Sequence, residues 1–133
     1  MATVTINNLQ TRLNDTATEV TSMSLVATIE TLNLSTGASV TQVIITNKSA
    51  LDVYLKFWDS SSTPTGSAGG SWNTEPTMIL PAVANETADY SFLGDNLYQF
   101  AAGWKLNISD QAGILVGNTG SPAIDVDVLI FTT

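Results

Sequence analysis

The chain has 133 residues, with 12 acidic side chains against 4 basic ones, a net charge of -8, and neither histidine nor cysteine. Those absences exclude a disulfide framework, a thiolate or imidazole zinc site, a Ser-His-Asp or Cys-His nucleophile and a histidine pH switch. The four cations, Arg12, Lys48, Lys56 and Lys105, are scattered. A nucleic-acid partner is therefore not expected, because phosphate-backbone binding relies on clustered Lys and Arg displacing counterions.

The length suits a single domain over 1–133, large enough to bury roughly two-thirds of the surface its unfolded chain exposes. Charged residues make up 12% of the chain, about half the usual share. The polar surface is built instead from 19 Thr and 13 Ser. A composition so rich in threonine favours β-structure, since a β-branched hydroxyl sits well on a half-exposed pleated surface. The N-terminus lacks the basic stretch and apolar run of a signal peptide, and every apolar run is far shorter than a membrane span, so no membrane partner is expected.

In chain order, residues 1–22 read as a candidate N-terminal arm containing a strand at 3–9. Segment 14–20 is either one short helical turn or a bridging loop. Strands follow at 24–34, 40–46, 51–58, 77–80, 88–93, 97–109 and 114–116, with a last one over 124–131. The clearest is 51–58: Leu51, Val53, Leu55 and Phe57 fall on one face, and Asp52, Tyr54, Lys56 and Trp58 on the other. The last repeats the pattern, with Ile124, Val126, Val128 and Ile130 opposite Asp125, Asp127, Leu129 and Phe131. Gly-, Asn- and Asp-rich turns separate these runs. Segment 59–76 differs, being a long surface loop of Ser, Thr, Gly and Pro interrupted by Trp72. Together the pattern predicts an all-β chain: a two-sheet antiparallel β-sandwich, jelly-roll-like, with about eight or nine strands.

Carboxylates are the remaining acid-base candidates. Asp125 and Asp127 share a strand face, and Glu86 lies close to Asp89, but solvated strand and turn positions account for both pairs. Loop oxygens at Asp95, Asn96, Asp110 and Asn118 suit calcium in kind, yet lack the spacing of a dedicated ion loop. The glycines of 59–76 come without a phosphate-loop lysine or a following helix. No catalytic residue, cofactor or metal is therefore assigned, and no enzymatic activity is expected.

Among the tryptophans, Trp104 continues an alternating run and is expected in the core. Trp58 lies on the polar face of its strand and Trp72 in the long loop. Either the two form a contact surface, or Trp72 folds back over Trp58 and seals the loop onto the sheet.

The block Val53-Tyr54-Leu55-Lys56-Phe57-Trp58-Asp59, the Ser/Thr/Gly/Pro loop, Pro76-Thr77-Met78-Ile79-Leu80-Pro81 and Ala88-Asp89-Tyr90-Ser91-Phe92 carry a likeness. Over about 40 central residues the chain resembles small jelly-roll cement or decoration proteins of tailed-phage capsids; the first 40 residues do not match that pattern. The resemblance implies a structural virion protein on the capsid surface, bound to the major capsid protein between its subunits and assembled as a homotrimer. Tyr54, Trp58, Trp72, Leu129 and Phe131 are the candidate interface residues under that expectation. The alternative is a carbohydrate-binding or tail-fibre-type receptor-binding β-sandwich using Trp58 and Trp72.

Overall fold

The computed structural model describes residues 3–7, 19–25, 29–32, 39–67, 69–92, 98–99, 102–117 and 124–132. They form ten strands: β1 (Thr3–Asn7), β2 (Glu19–Leu25), β3 (Ile29–Leu32), β4 (Ser39–Asn47), β5 (Val53–Asp59), β6 (Met78–Ala82), β7 (Thr87–Ser91), β8 (Tyr98–Gln99), β9 (Trp104–Ser109) and β10 (Val126–Thr132). The fold is all-β, and no helix occurs among the described residues.

Two antiparallel sheets result. One runs β1-β2-β10-β4-β7, with β8 also paired to β4, and the other runs β3-β9-β5-β6. The pairing has a simple logic. Four antiparallel pairs are nested one inside the next along the chain: β2 with β10, β3 with β9, β4 with β7, and β5 with β6. Successive pairs alternate between the sheets, and within each sheet two pairs are joined, through β10 with β4 and through β9 with β5. Of the expected arm at 1–22, the described residues 3–7 and 19–22 lie in strands of the larger sheet.

Period-two burial explains why these residues form these strands. Val43 and Ile45 of β4, and Val126, Val128 and Ile130 of β10, join Val53, Leu55 and Phe57 of β5 and Leu106 and Ile108 of β9 in one apolar cluster. All are fully buried. The two sheets thus share one core, extended by Val40, Leu80, Ala82 and Ile124. Asn47 fastens its edge: its Nδ2 donates to the carbonyls of Leu51 and Ala82, while its Oδ1 accepts from Ser49 N at 2.9 Å. That satisfies a buried side chain which would otherwise cost more than it returns.

The small sheet ends at β6, where proline interrupts the run of donors. Pro81 lies opposite Tyr54 in the ladder, and its carbonyl accepts a hydrogen bond from the Tyr90 hydroxyl of β7, in the other sheet. Partial burial raises the Tyr90 phenol above its ordinary pKa.

Several boundaries differ from the sequence expectation, for identifiable reasons. The expected strand 24–34 is two strands in different sheets, β2 and β3. The expected strand 97–109 is likewise β8 and β9, and Gly103, at φ 143°, lies just before β9 in a conformation that side chains avoid. A Cβ there would stand 3.0 Å from the Ser60 carbonyl. Segment 114–116 is no strand of either sheet; Leu115 forms a single bridge with Ser71. In segment 14–20, Glu19 and Val20 begin β2, while 14–18 lie outside the described residues.

The shared core sets a stability expectation. Leu55→Ala should lower the unfolding free energy by about 2–5 kcal/mol, the usual cost of emptying a buried leucine site. Thr87→Ala, at an exposed position on β7, should stay within about 0.5 kcal/mol. Denaturant titration of the two variants beside the parent distinguishes these outcomes.

Candidate functional site

The outward faces of β5 and β9 meet in register. Tyr54 lies opposite Ser109, Lys56 opposite Asn107, and Trp58 opposite Lys105. Alternation aims these side chains away from the core, where the sequence alone suggests solvent. Instead Trp58, Lys56, Lys105, Asn107 and Ser109 are all buried.

What covers them is a cap made from the long loop and the β9–β10 connection. Residues 69–72 run antiparallel to 114–117: Trp72 N donates to Ile114 O at 2.8 Å, Val116 N to Gly70 O at 2.8 Å and Gly69 N to Gly117 O at 3.0 Å. Trp72 then folds over Trp58, with ring centroids 5.2 Å apart and planes at 74° in an edge-to-face contact. Val116 completes a small apolar cluster with the two indoles, and Ile114 packs against it. Trp58 Nε1 donates to Thr74 O at 2.9 Å, which ties the far end of the loop to the sheet. Gly66 makes the closure feasible, because a Cβ there would lie 2.5 Å from Val116 Cγ2 and 2.8 Å from Trp72 Cε3.

Of the two arrangements expected for the tryptophans, the fold-back of Trp72 over Trp58 is the one observed. Trp58 is 1% and Trp72 6% exposed, each ring covering the other. Phe131 is also buried, packed on the outer side of the larger sheet with half-buried Ile44 and Leu129. Leu129 and Tyr54 are half-buried and keep some surface for contacts. The five candidate interface residues do not form one patch in the single chain: Tyr54 and Trp58 lie on the small sheet and Trp72 in its cap, whereas Leu129 and Phe131 lie on the larger sheet. For Trp104, the backbone belongs to β9 and the side chain lies outside the described residues.

Beneath the cap sits an unusual polar group. Lys56 is 0% exposed, and its Nζ donates to the carbonyl of Leu115 in the cap. Burial pulls its pKa down to about 8, against the opposing pull of the Asp110 carboxylate. Asn107, directly across the ladder and 2% exposed, has a buried Oδ1 without a hydrogen-bond partner; Trp72 Nε1 is the other such atom among the described residues. Lys105 donates to Ser60 O at 3.1 Å. Above lies an open cleft of about 300 Å³ lined by Gly69, Gly70, Gln111, Leu115 and Gly117.

Sequence reasoning missed Lys56 and Asn107 as a pair. A usable signal was present: Lys56 alternates with Tyr54 and Trp58 on its face, and a lysine between two aromatics on a strand often has its stem covered.

The acidic pair has a different explanation. Lys48 Nζ sits 3.2 Å from Asp125 Oδ1 and 3.1 Å from Asp127 Oδ2, bridging two carboxylates that would otherwise repel across one strand face. Their hydrogen bonds raise the Lys48 pKa. Asp89 accepts from Gln42 Nε2 at 2.9 Å, a cross-strand contact between β7 and β4. Of the loop oxygens considered for calcium, Asp95, Asn96 and Asn118 lie outside the described residues. Among the described residues no group of three carboxylates is placed to hold a metal ion. No helix there is long and apolar enough to cross a membrane.

No family model, curated protein or solved structure matches the chain.

The tight approach at Gly66 yields a direct check on the cap. Gly66→Ala should cost about 1–3 kcal/mol through overpacking and shift the tryptophan fluorescence as the Trp58–Trp72 contact is forced apart. Ala at Gly113, where a Cβ would meet nothing within 4 Å, tests the backbone alone and should leave the emission unchanged.

Proposed function

We propose that the protein is a structural virion component with a jelly-roll fold, a homotrimeric cement or decoration protein bound to the major capsid protein on the capsid surface. The observation that carries this reading is the strand order. With β1 and β8 set aside, the remaining eight strands make four nested antiparallel pairs distributed alternately between two sheets. Such nesting supports reading the chain as a long hairpin rolled up on itself, as in the jelly rolls of viral capsid and lectin domains. The sequence likeness over the β5 to β7 region points the same way.

The packing of Trp58 on Trp72 favours this reading over the lectin-like alternative, which would use both rings on a ligand. Cementing needs no catalytic group. It needs complementary surface, with an apolar centre and a polar rim. Ile44, Leu129 and the rim of Phe131 supply an apolar strip on the outer face of the larger sheet, bordered by Asp127 and Gln42 on the same strands. Half-buried Tyr54 offers a second contact on the small sheet.

Sedimentation velocity over a micromolar concentration range should give a trimer, and the protein should co-pellet with assembled capsid shells but not with unassembled capsid subunits. A strictly monomeric species that fails to pellet with shells would overturn the proposal. Leu129→Asp should weaken both behaviours about tenfold or more while leaving the circular dichroism spectrum unchanged.

A further inference from the structure

Lys56 and Asn107 combine four properties that are individually ordinary and together point to chemistry. They are directly opposite each other on adjacent antiparallel strands. Both are buried. Asn107 Oδ1 has no hydrogen-bond partner. A carboxylate, Asp110, lies near enough to influence the amine electrostatically. Opposed residues on one sheet face have Cβ atoms about 4.5–5.5 Å apart, well within the reach of a lysine stem. Lys56 is 0% and Asn107 2% exposed, and Lys56 reaches the cap through the Leu115 carbonyl.

We propose that Lys56 and Asn107 are the two halves of a self-formed intramolecular amide cross-link between β5 and β9, with Asp110 carrying the proton. The neutral Lys56 amine donates one N–H to Leu115 O and keeps its lone pair, which attacks Asn107 Cγ. A bond forms between Lys56 Nζ and Asn107 Cγ. Asp110 takes a proton from the attacking nitrogen and returns it to Asn107 Nδ2, the bond from Cγ to Nδ2 breaks, and one ammonia leaves. Side-chain amine plus side-chain amide becomes a secondary amide plus ammonia, with no oxidant, metal or cofactor in the balance. The lowered amine pKa supports the step at pH 8, where about half of the amine is neutral while a lysine at its ordinary value would remain almost wholly protonated.

The charged and titratable groups on the surrounding elements are Tyr54 on β5, Lys105 on β9 and Asp110 after it. Gly117 in the cap fits closely over Asp110, since a Cβ there would collide with Asp110 Oδ1. That approach brings the cap backbone against the Asp110 carboxylate, which also acts electrostatically on Lys56.

Intact-mass measurement on the denatured protein, after incubation at pH 8, tests the proposal. The expected result is a mass one ammonia below that of the sequence, with a branched proteolytic peptide joining residues 56 and 107. Lys56→Met, Asn107→Ala and Asp110→Ala should each return the full mass of the variant; Asp110→Ala keeps both reacting groups and so isolates the proton carrier. A second readout comes from pH. Burial lowers the unlinked Lys56 amine from 10.5 to about 8 in the folded chain, and Asn107→Ala, which leaves it unlinked, should keep its folded pKa below the unfolded one. The unfolded state binds more protons between those values, so stability climbs with pH through that window. The linked parent has no amine to titrate and should lack the climb. A parent of full sequence mass, or an ammonia loss mapped to a single residue without a branched peptide, would overturn the proposal.

Discussion

The seam between β10/β4 and β5/β9 governs the rest of the molecule. Val43 and Ile45 of β4, Val53, Leu55 and Phe57 of β5, Leu106 and Ile108 of β9 and Val126, Val128 and Ile130 of β10 enter one core, and the ladders pair Leu55 with Ile108 and Phe57 with Leu106. Because the side-chain period of a strand is two, fixing the inward set also fixes the outward one. Lys56 meets Asn107 for that reason alone: they are the residues left between two apolar pairs that cannot slip. A one-residue shift would put Leu55, Phe57, Leu106 and Ile108 on the outside, so the register of the polar pair inherits the full hydrophobic stake of the core.

The outer faces of the two sheets are finished differently. The larger sheet carries Thr, Gln and Asp with a short apolar strip at Ile44, Leu129 and Phe131. The small sheet receives the cap, which replaces water over Lys56, Asn107 and Ser109 with an indole pair and a backbone ribbon. Ser109 shows how completely the polar groups are accommodated: its hydroxyl interacts with the carbonyls of Gln111 and Val116 and accepts from Gln111 N. The loop 59–76 is therefore an integral layer over the sheet. Its glycines and small hydroxyls serve close packing, as at Gly66, as much as turn formation.

Much of this architecture can be read from alternation. The faces of 51–58 and 124–131 are observed as expected, since a hydrophobic stripe at period two has one solution in a sheet with a dry side. The corners were not readable. Segments 24–34 and 97–109 keep a strand-like composition while the chain passes from one sheet to the other, and both sheets draw on the same periodicity. Nor does alternation say what lies beyond an outward face. Trp58 and Lys56 point away from the core as expected, yet are buried by residues 69–72 and 114–117, more than ten residues away in sequence. Periodicity carries the local side of a strand; coverage is a property of the distant segment, and only Trp72 and the place of Lys56 between two aromatics hinted at it.

Pro81 and Tyr90 have a consequence for how copies of this chain meet. An exposed strand margin invites another chain to add a further strand by backbone hydrogen bonds. At β6 the proline nitrogen has no hydrogen to give, and the neighbouring carbonyl is already engaged by a hydroxyl from the opposite sheet. That margin cannot serve as a zipper, so crowding many copies together does not convert them into a continuous ribbon through it. The proline thus removes one of the sheet margins through which a second chain could be added.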